Sequence, residues 1–541
     1  MTLDIIVWAP EAFFLVLLLL LIWYGSGPLD SPVSEKVYIA QLSIAQDSSH
    51  MLIFSKKQAA SLSTLNKPVS GPLHILSHLN MWAVTVCFLM VCLLWNCSIT
   101  SLMPGRVFSR DFGCIYVATF LWGLAGIFLF LQNPWQKWAG IVHLEYVYLS
   151  LLFLLGVHLL CYTVDLISLY VCLELQSFSI VVLCRMNYTT PYAIEAGMKY
   201  FLLRAFSSRL LLLGVGLIYA QTAHTDLSSI QELLTVLYSN NNLNLYESTD
   251  LLTMLGLWLI GLGLLWKLAL APLHMWAADV YMGAWSSVTL MISTLPKVLV
   301  LFFWARCFHN AWSIGFGGSL LRFFRRCSFI IGRLAPLAQS TLKRLLAFSS
   351  VGNMGLLLMP FCFSGEVFTQ RLWVHFVLYI LSSMIVWALI MWPFYRTLAN
   401  TLNVQTNTSV YVSGPQYVWD LTNLNQISAT LALAWGVAML SFLGLPPVLG
   451  FLGKLGLFWY RLSSNMYALV SVALVSTLVS SVYYLRILKV SYVDLPNNWG
   501  SYGHFRPSQA YLVLIGTALL IVIMWHVLPL ALLSHLLALA I

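Results

Sequence analysis

Lys267, Lys297 and Lys454 each lie within a stretch of the chain that is otherwise apolar enough to span a membrane. A lysine at the centre of a bilayer costs roughly 2.5–3.5 kcal/mol on insertion scales, so it usually has a partner or a function. Glu174, in YVCLELQSFSI, is a carboxylate in a similar setting and is the obvious partner. A row of buried titratable groups of both signs predicts the movement of charge across a membrane.

The composition is that of a membrane protein. The chain is 60% hydrophobic and 8% charged, with a mean hydropathy of +0.85, whereas a soluble domain has about 25% charged residues. The net charge is +9, but the sequence has no basic run with interleaved aromatic residues, so we expect no nucleic-acid partner. The ten cysteines fall mostly within apolar stretches and never form CxxC, which is typical of buried apolar side chains.

Apolar windows of about 20 residues predict an all-α polytopic membrane protein with about 14 transmembrane helices. The predicted spans are 5–24, 78–97, 113–132, 141–162, 164–186, 194–220, 251–274, 284–307, 316–337, 342–362, 372–395, 427–460, 465–487 and 509–533. One of them, 316–337, contains four arginines, which we expect to snorkel or to pair with a neighbouring subunit. They are Arg322, Arg325, Arg326 and Arg333.

Two of the predicted spans carry helix-breaking residues beside a lysine. Lys267 precedes Pro272 in GLGLLWKLALAPLHMW, and Gly444 with two prolines precedes Lys454 in AMLSFLGLPPVLGFLGKLGLFW. Broken helices in corresponding halves mark the working sites of many transporters built from inverted repeats. Unwound backbone at this depth is tolerated only beside protein or water, so both breaks predict polar cavities.

Several segments together resemble one known family. They are WAPEAFFL, YTVDLISLYVCLELQSFS, IEAGMKYFLLRAFSS, WKLALAPLHMWAADVYMGAWSSVTLMISTLPKV, QSTLKRLLAFSSVGNMG and SFLGLPPVLGFLGKLGLFW. In this order, from about residue 8 to 490, the chain resembles subunit 2 of respiratory complex I, the proton-translocating NADH:ubiquinone oxidoreductase, in its long mitochondrial form. PLHMWAADVY favours this subunit over the sister antiporter-like subunits 4 and 5.

The resemblance implies an antiporter-like fold with two inverted repeats and broken helices, in the mitochondrial inner membrane. It divides the chain into six parts. These are a first transmembrane helix at 1–24, a polar insert at 25–77, N-terminal helices at 78–162, a first antiporter-like repeat at 163–307, a second at 316–460 and C-terminal helices at 465–541. The insert lies outside the resemblance, and we expect it to dock partner subunits.

The resemblance also implies roles for single residues. Glu174 matches the buried glutamate of the family's fifth span, and Lys267 matches its partner in the broken seventh span. Lys297 matches the connecting lysine of the eighth span, and Lys454 the terminal lysine of the broken twelfth. Lys199 matches a further family lysine near a helix start. Together they imply proton translocation through a half-channel, driven by quinone reduction elsewhere in the complex.

Physical chemistry supports a proton relay among these groups. Burial disfavours a charged lysine and a nearby carboxylate favours it, so a small shift of Glu174 changes whether Lys267 holds its proton. We expect Lys297 and Lys454 to pass the proton on, through water or through the hydroxyls of Ser293 and Thr294. For Glu174 and the three lysines the alternative is a purely structural ion pair.

Two further candidates have a more ordinary interpretation. His274 follows the break at Pro272, where it is suited either to shuttling protons or to a satisfied place at a helix end. Lys199 is equally compatible with the entrance of a span. Both are kept as candidates for proton translocation.

The chain departs from the family pattern at several positions. Arg204 and Arg209 replace small residues in the sixth span. Five residues rotate about 140° around a helix, so the two arginines do not easily share a partner, and one of them is suited to facing a neighbouring subunit or a lipid headgroup. Asn353 replaces a histidine, and an amide does not titrate, which puts a proton step there in doubt.

These observations favour an energy-converting core subunit of complex I that works beside other core and accessory subunits and membrane lipids. Its alternatives are a cation/proton antiporter subunit of a multi-subunit exchanger and an architectural subunit that does not pump. The sequence has no dinucleotide-binding, flavin or iron–sulfur motif. We therefore expect this chain to bind no cofactor and have no redox site of its own, with NADH, FMN, iron–sulfur clusters and ubiquinone bound by other subunits.

Overall fold

The computed structural model describes most of the chain. The described residues are 9–26, 70–96, 101–102, 107–139, 143–187, 190–239, 247–308, 317–362, 366–396, 411–446, 448–463, 467–494, 500–502, 507–525, 531–532 and 534–535. Of the predicted insert at 25–77, residues 27–69 lie outside them, and 70–77 belong to a helix. The docking role of the insert therefore stays a prediction.

Helices, most of them long, account for most of the described residues. In chain order they are α1 Ala9–Ser26, α2 Ser70–Asn96, α3 Phe112–Ala139, α4 Glu145–Tyr162, α5 Leu166–Arg185, α6 Pro191–Thr222, α7 Leu227–Ser239, α8 Glu247–Lys267, α9 Met275–Gly283, α10 Ser286–Phe303, α11 Gly317–Leu334, α12 Leu342–Leu357, α13 Glu366–Ile390, α14 Leu424–Ile427, α15 Ala429–Leu443, α16 Gly450–Ser463, α17 Tyr467–Tyr492 and α18 Pro507–Trp525. A π-helical turn, Trp304–Phe308, extends α10, and three short 3-10 turns lie at 335–338, 360–362 and 418–421.

Short strands tie together the connections between helices. The strands are β1 Ser101–Leu102, β2 Ser109–Arg110, β3 Phe394–Arg396, β4 Tyr411–Ser413 and β5 Gly500–Tyr502. β1 pairs with β2, and β3 lies between β4 and β5, all antiparallel. Because these strands have only two or three residues, they do not change the all-α class of the fold.

The helices form a multi-pass membrane bundle. Eight helices within the described residues are long and apolar enough to cross a membrane, and four shorter apolar helices accompany them. α10 lies at the centre of the bundle, with 94% of its apolar window buried. Each predicted span coincides with a helix or, at 251–274 and 427–460, with a helix followed by a break. The predicted fold class is confirmed.

Both predicted helix breaks occur where the sequence places them. α8 ends at Lys267, and the chain resumes as α9 only at Met275, after Pro272 has removed a helical N–H donor. α15 ends at Leu443, and the next residue, Gly444, has a φ of +78°, a left-handed conformation that favours glycine. The helical hydrogen bonds therefore end beside Lys267 and shortly before Lys454.

Two elements differ from their predicted form. The polar connection after α6 contains the helix α7, and Leu227 and Ile230 on one face of this helix are buried. The second element is α11, which was predicted as an apolar span at 316–337 and is an amphipathic helix. Arg325 and Arg333 are buried on its inner face, and its other two arginines, Arg322 and Arg326, are exposed.

Candidate functional site

The first group of charges lies where α5, α6 and α8 meet. α6 and α8 touch backbone to backbone, since a Cβ added at Gly214 would lie 2.7 Å from the carbonyl oxygen of Gly256. Small residues permit this close packing between membrane helices. It brings α6, which carries Arg204, against α8, which ends at Lys267. We call Glu174, Arg204 and Lys267 the first charge cluster.

Arg204 holds the carboxylate in this cluster. Its guanidinium donates to Glu174 Oε2 in an ion pair whose side chains are 5% and 15% exposed. The same guanidinium lies 4.1 Å from the ring centre of Phe178, four residues after Glu174 on α5. A planar guanidinium suits both contacts, because it combines fork-shaped donors with weak hydration and stacks on aromatic faces.

Lys267 lies beside this ion pair and outside it. Its Nζ donates to the main-chain oxygen of Leu173 at 3.3 Å, the residue next to Glu174. Among the described residues no carboxylate forms an ion pair with Lys267. In this structure the predicted direct pairing of Glu174 with Lys267 is therefore replaced by the pairing with Arg204.

A small cavity joins the cations of the first charge cluster. It has about 30 Å³ of space for water centres. Its lining includes Arg204 and Lys267 with the polar side chains of Gln176, Ser177 and Ser207. A single water needs about 10–15 Å³ measured in this way, so the cavity has room for about two. Most of the lining is apolar, so the cavity is a water-sized space with a few polar side chains at the break after α8.

The cavity reaches the helix that carries Lys297. Pro296, the neighbour of Lys297 on α10, belongs to its lining. Lys297 is 1% exposed, and its Nζ donates to Ser350 Oγ on α12 at 3.1 Å. The predicted relay hydroxyls, Ser293 and Thr294, instead donate to the main-chain oxygen of Leu290. Such back-bonding is common for hydroxyls in buried helices, and it leaves Ser350 as the hydroxyl in contact with the lysine.

Lys454 lies in a second polar environment made by the backbone. Its Nζ donates to the main-chain oxygens of Phe442 and Leu443, at 2.6 and 2.8 Å. These carbonyls belong to the last turn of α15, which the break at Gly444 leaves without helical partners. The negative end of a helix dipole favours a cation at this place. The break thus supplies the acceptors for a lysine that is 6% exposed.

A buried arginine, Arg333, interacts electrostatically with Lys454. Arg333, on α11 and 1% exposed, donates to Asn353 Oδ1 at 2.9 Å and to the Tyr483 hydroxyl at 3.2 Å. The expected partner in a neighbouring subunit is thus wrong for Arg333, whose contacts lie within the chain. Close contact of Gly332 with the backbone of Gly352 brings α11 onto α12. We call Arg333, Asn353 and Lys454 the second charge cluster.

His375 is a buried titratable residue that sequence analysis missed. It is 5% exposed on α13, and neither ring nitrogen has a hydrogen-bond partner among the described residues. A Cβ added at Gly453, next to Lys454, would lie 2.7 Å from its Nδ1. The signal available in the sequence was a lone histidine in an apolar span, since ionisable residues within membrane spans are rare and usually functional.

Lys199 and His274 lie apart from the buried lysines. Lys199 is 41% exposed and forms ion pairs with Glu195 at 2.5 Å and Asp279 at 2.6 Å. Its place at the start of α6 fits the entrance of a span. His274 precedes the first residue of α9 without a side-chain capping bond, is half-buried and packs against Phe348 with ring centres 5.9 Å apart. The predicted roles in proton translocation stay predictions for all six candidates.

Comparison with known proteins decides the family. The family described as NADH:quinone oxidoreductase/Mrp antiporter, TM, matches residues 163–480. Chain 2 of NADH-ubiquinone oxidoreductase from Marchantia polymorpha is 31% identical over 410 residues, which cover 76% of this chain and 78% of the relative. The chain belongs to the NADH:quinone oxidoreductase/Mrp antiporter family. NADH-quinone oxidoreductase subunit N from Neisseria gonorrhoeae is 30% identical over 420 residues, covering 76% of this chain and 80% of the relative.

Solved structures share the antiporter-like fold. A chain of respiratory complex I from Thermus thermophilus, solved with bound aureothin, has a TM-score of 0.67 at 24% identity, with 86% of this chain and 99% of that chain covered. A chain of the Mrp complex from Dietzia has a TM-score of 0.66 at 17% identity, with 89% and 94% covered. The NADH:quinone oxidoreductase and Mrp members of the family therefore have a common architecture, which this chain adopts.

Proposed function

We propose that this chain is a core membrane-arm subunit of respiratory complex I that translocates protons. In this proposal, electron transfer from NADH to ubiquinone on other subunits drives proton movement through the buried groups of this chain. The main support for this proposal is that Lys267 and Lys454 lie at the two helix breaks. Lys297, which lies between them in the sequence, is buried on the central helix α10. Buried lysines are costly unless they work or are paired.

Each residue has a distinct role in the proposal. Glu174 sets the charge of Lys267, which exchanges a proton with water in the cavity. Lys297 receives the proton beside the wall formed by Pro296, and Ser350 is its hydroxyl contact. Lys454 is the terminal lysine. His274 and Lys199 lie at the edges of the route, so we assign them smaller contributions.

The location and partners follow from the same proposal. We place the chain in the mitochondrial inner membrane, in contact with lipids, sister antiporter-like subunits and other core and accessory subunits. Relatives described as NADH-ubiquinone oxidoreductase chain 2 from plants support this placement, and the bacterial subunit N relatives show the same family in bacteria. NADH, FMN, iron–sulfur clusters and ubiquinone are then bound elsewhere in the complex.

A cation/proton antiporter subunit is the second candidate function. The family description includes Mrp antiporters, and the Mrp chain from Dietzia shares the fold. The relatives at 30% identity or more that we compared are named as NADH-ubiquinone or NADH-quinone oxidoreductase subunits, which favours the first function. A subunit that has the fold without pumping is the third.

Measurements on one purified sample distinguish the three candidate functions. The chain would be tagged in its own organism, purified in mild detergent and reconstituted into vesicles. The proposal predicts a large assembly with NADH:quinone reductase activity and with proton movement that needs both NADH and quinone. Sodium/proton exchange without NADH would favour the antiporter. Full reductase activity without proton movement would favour the architectural subunit.

A further inference from the structure

The first charge cluster contains one more cation than a simple lysine–carboxylate pair. Arg204 and Lys267 line the same cavity, and Glu174 is the carboxylate bonded to one of them. A guanidinium keeps its charge at any ordinary pH, so Arg204 does not give up a proton in a relay. Its effect on proton movement has to come from where it holds the carboxylate.

The contacts hold Arg204 in place on two sides. Glu174 and Phe178 lie four residues apart and therefore on one face of α5, and the guanidinium contacts both. Phe178 is 55% exposed, so its ring covers the guanidinium toward the outside of the bundle. Arg204 thus retains the aromatic contact when the carboxylate moves.

Lys267 lies against the main chain of α5 directly before Glu174. Its Nζ is bonded to the main-chain oxygen of Leu173, directly before Glu174, while Oε1 of Glu174 is buried with no hydrogen bond among the described residues. A buried carboxylate oxygen without a donor is costly. A change of the Glu174 side chain toward Lys267 would satisfy that oxygen, and the carboxylate would then favour a protonated lysine.

We propose that Arg204 is a positioning residue that exchanges Glu174 with Lys267 and so sets when the lysine holds its proton. This inference rests on the proposed proton-translocating function. With Glu174 on Arg204, as in this structure, Lys267 lacks a counter-ion and releases its proton toward Lys297. With Glu174 on Lys267, the ammonium is stabilised and a proton is taken up from water in the cavity. Proton number balances, because each cycle takes up one proton at Nζ and releases one.

The test uses pairs of variants on α6 in the assembled complex. Arg209 lies five residues after Arg204 and is exposed, so Arg209→Leu and Arg209→Lys match the change of side chain without touching the cluster. Reconstituted complexes would be compared in NADH:quinone turnover, in protons moved per electron and in the amount of assembled complex on a native gel.

Arg204→Leu leaves Glu174 permanently on Lys267. We expect proton-coupled turnover per assembled complex to fall about tenfold below Arg209→Leu, the size of a normal coupling between residues in contact. We also expect fewer protons per electron. Equal turnover and equal proton yield in the two variants would overturn the proposal, because a purely structural arginine affects the amount of complex and not its stoichiometry.

Arg204→Lys keeps the positive charge. This variant tests the positioning role of Arg204 if the complex with Arg204→Leu does not assemble. A lysine offers a point charge in place of a fork, so it holds the carboxylate less firmly. We expect turnover several-fold below that of Arg209→Lys with intermediate proton yield. Equal turnover and equal proton yield in Arg204→Lys and Arg209→Lys would overturn the proposed role of Arg204. Failure of the proposed function is recognised separately, since the unmodified complex would then move no protons with NADH and quinone.

Discussion

The two charge clusters hold their lysines in different ways. In the first, Arg204 pairs with the carboxylate of Glu174, and Lys267 donates to one main-chain oxygen at 3.3 Å. In the second, Lys454 donates to two main-chain oxygens at 2.6 and 2.8 Å, and no carboxylate pairs with it among the described residues. The first lysine thus lies beside a carboxylate that is paired with an arginine, and the second is bound by the end of a helix.

The two clusters are therefore suited to different steps of proton movement. A side-chain carboxylate can change partners with a small rotation, so the first cluster is suited to switching. Backbone carbonyls move only when the helix moves, so the second cluster is suited to responding to the break between α15 and α16. Substitutions that change charge should therefore act most strongly on the first cluster, and substitutions that change backbone geometry on the second.

The largest effect is expected from Glu174→Gln. The variant leaves Arg204 as a buried cation without a counter-ion, and breaking one side of a buried pair costs about 3–5 kcal/mol. We expect the amount of assembled complex on native gels to fall severely. Glu195→Gln is the control, because Glu195 is a 55% exposed partner of Lys199. Similar amounts of complex in both variants would contradict the burial argument.

Gly444→Ala tests the geometry of the second cluster. The left-handed conformation costs an alanine about 1–2 kcal/mol, and the new Cβ would lie 2.7 Å from Cδ of Lys454. We expect a several-fold loss of proton-coupled turnover with electron transfer less affected. Gly216→Ala is the control, since Gly216 is helical and has nothing within 4 Å of the added Cβ. An unaffected Gly444→Ala enzyme would show that the second cluster does not depend on the break.

Ser350→Ala tests the hydroxyl contact of Lys297, the buried lysine that belongs to neither cluster. Ser350 Oγ accepts from Lys297 and donates to its own helix, and the loss of such a bond costs about 1 kcal/mol for a neutral amine and about 1.5–3 kcal/mol for an ammonium. We expect a lower midpoint for thermal dissociation of the purified complex and slower turnover. Ser383→Ala is the control, because it removes a buried hydroxyl that bonds only within its own helix among the described contacts. An equal effect of both substitutions would remove Ser350 from the relay.

The smallest effect is expected from Lys199→Ala. Lys199 is 41% exposed, and ion pairs in contact with solvent contribute little to stability. We expect turnover and proton yield to remain near those of the unmodified complex, with a modest loss when Asp279 is left to Arg344 alone. A loss of proton yield comparable to that of the buried lysines would assign Lys199 to the proton route.

The sequence was sufficient for the fold because membrane spans depend on local properties. Length and hydropathy predict a span, and proline or glycine predicts where it breaks, so Pro272 and Gly444 located both interruptions correctly. The helix α7 was missed because its apolar face is short and lies in a polar connection.

The contacts of the charges could not be predicted in the same way. Arg204 was identified as unusual, but its pairing with Glu174 depends on the close approach of α5 and α6 in three dimensions. Arg333 was likewise assigned to snorkelling or to a neighbouring subunit, whereas the contact between Gly332 and Gly352 brings it to Asn353. Hydrophobic patterns show which side chains are buried and do not show which partner each one meets.

The most direct test of the account is the number of protons moved per electron by complexes that contain Lys267→Met or Lys454→Met. Methionine has a similar length and cannot carry a proton, so each variant removes one titratable group with little change in packing. We expect assembled complexes that transfer electrons from NADH to quinone with a lower proton yield than the unmodified complex. An unchanged yield in both variants would contradict the claim that these buried lysines carry protons.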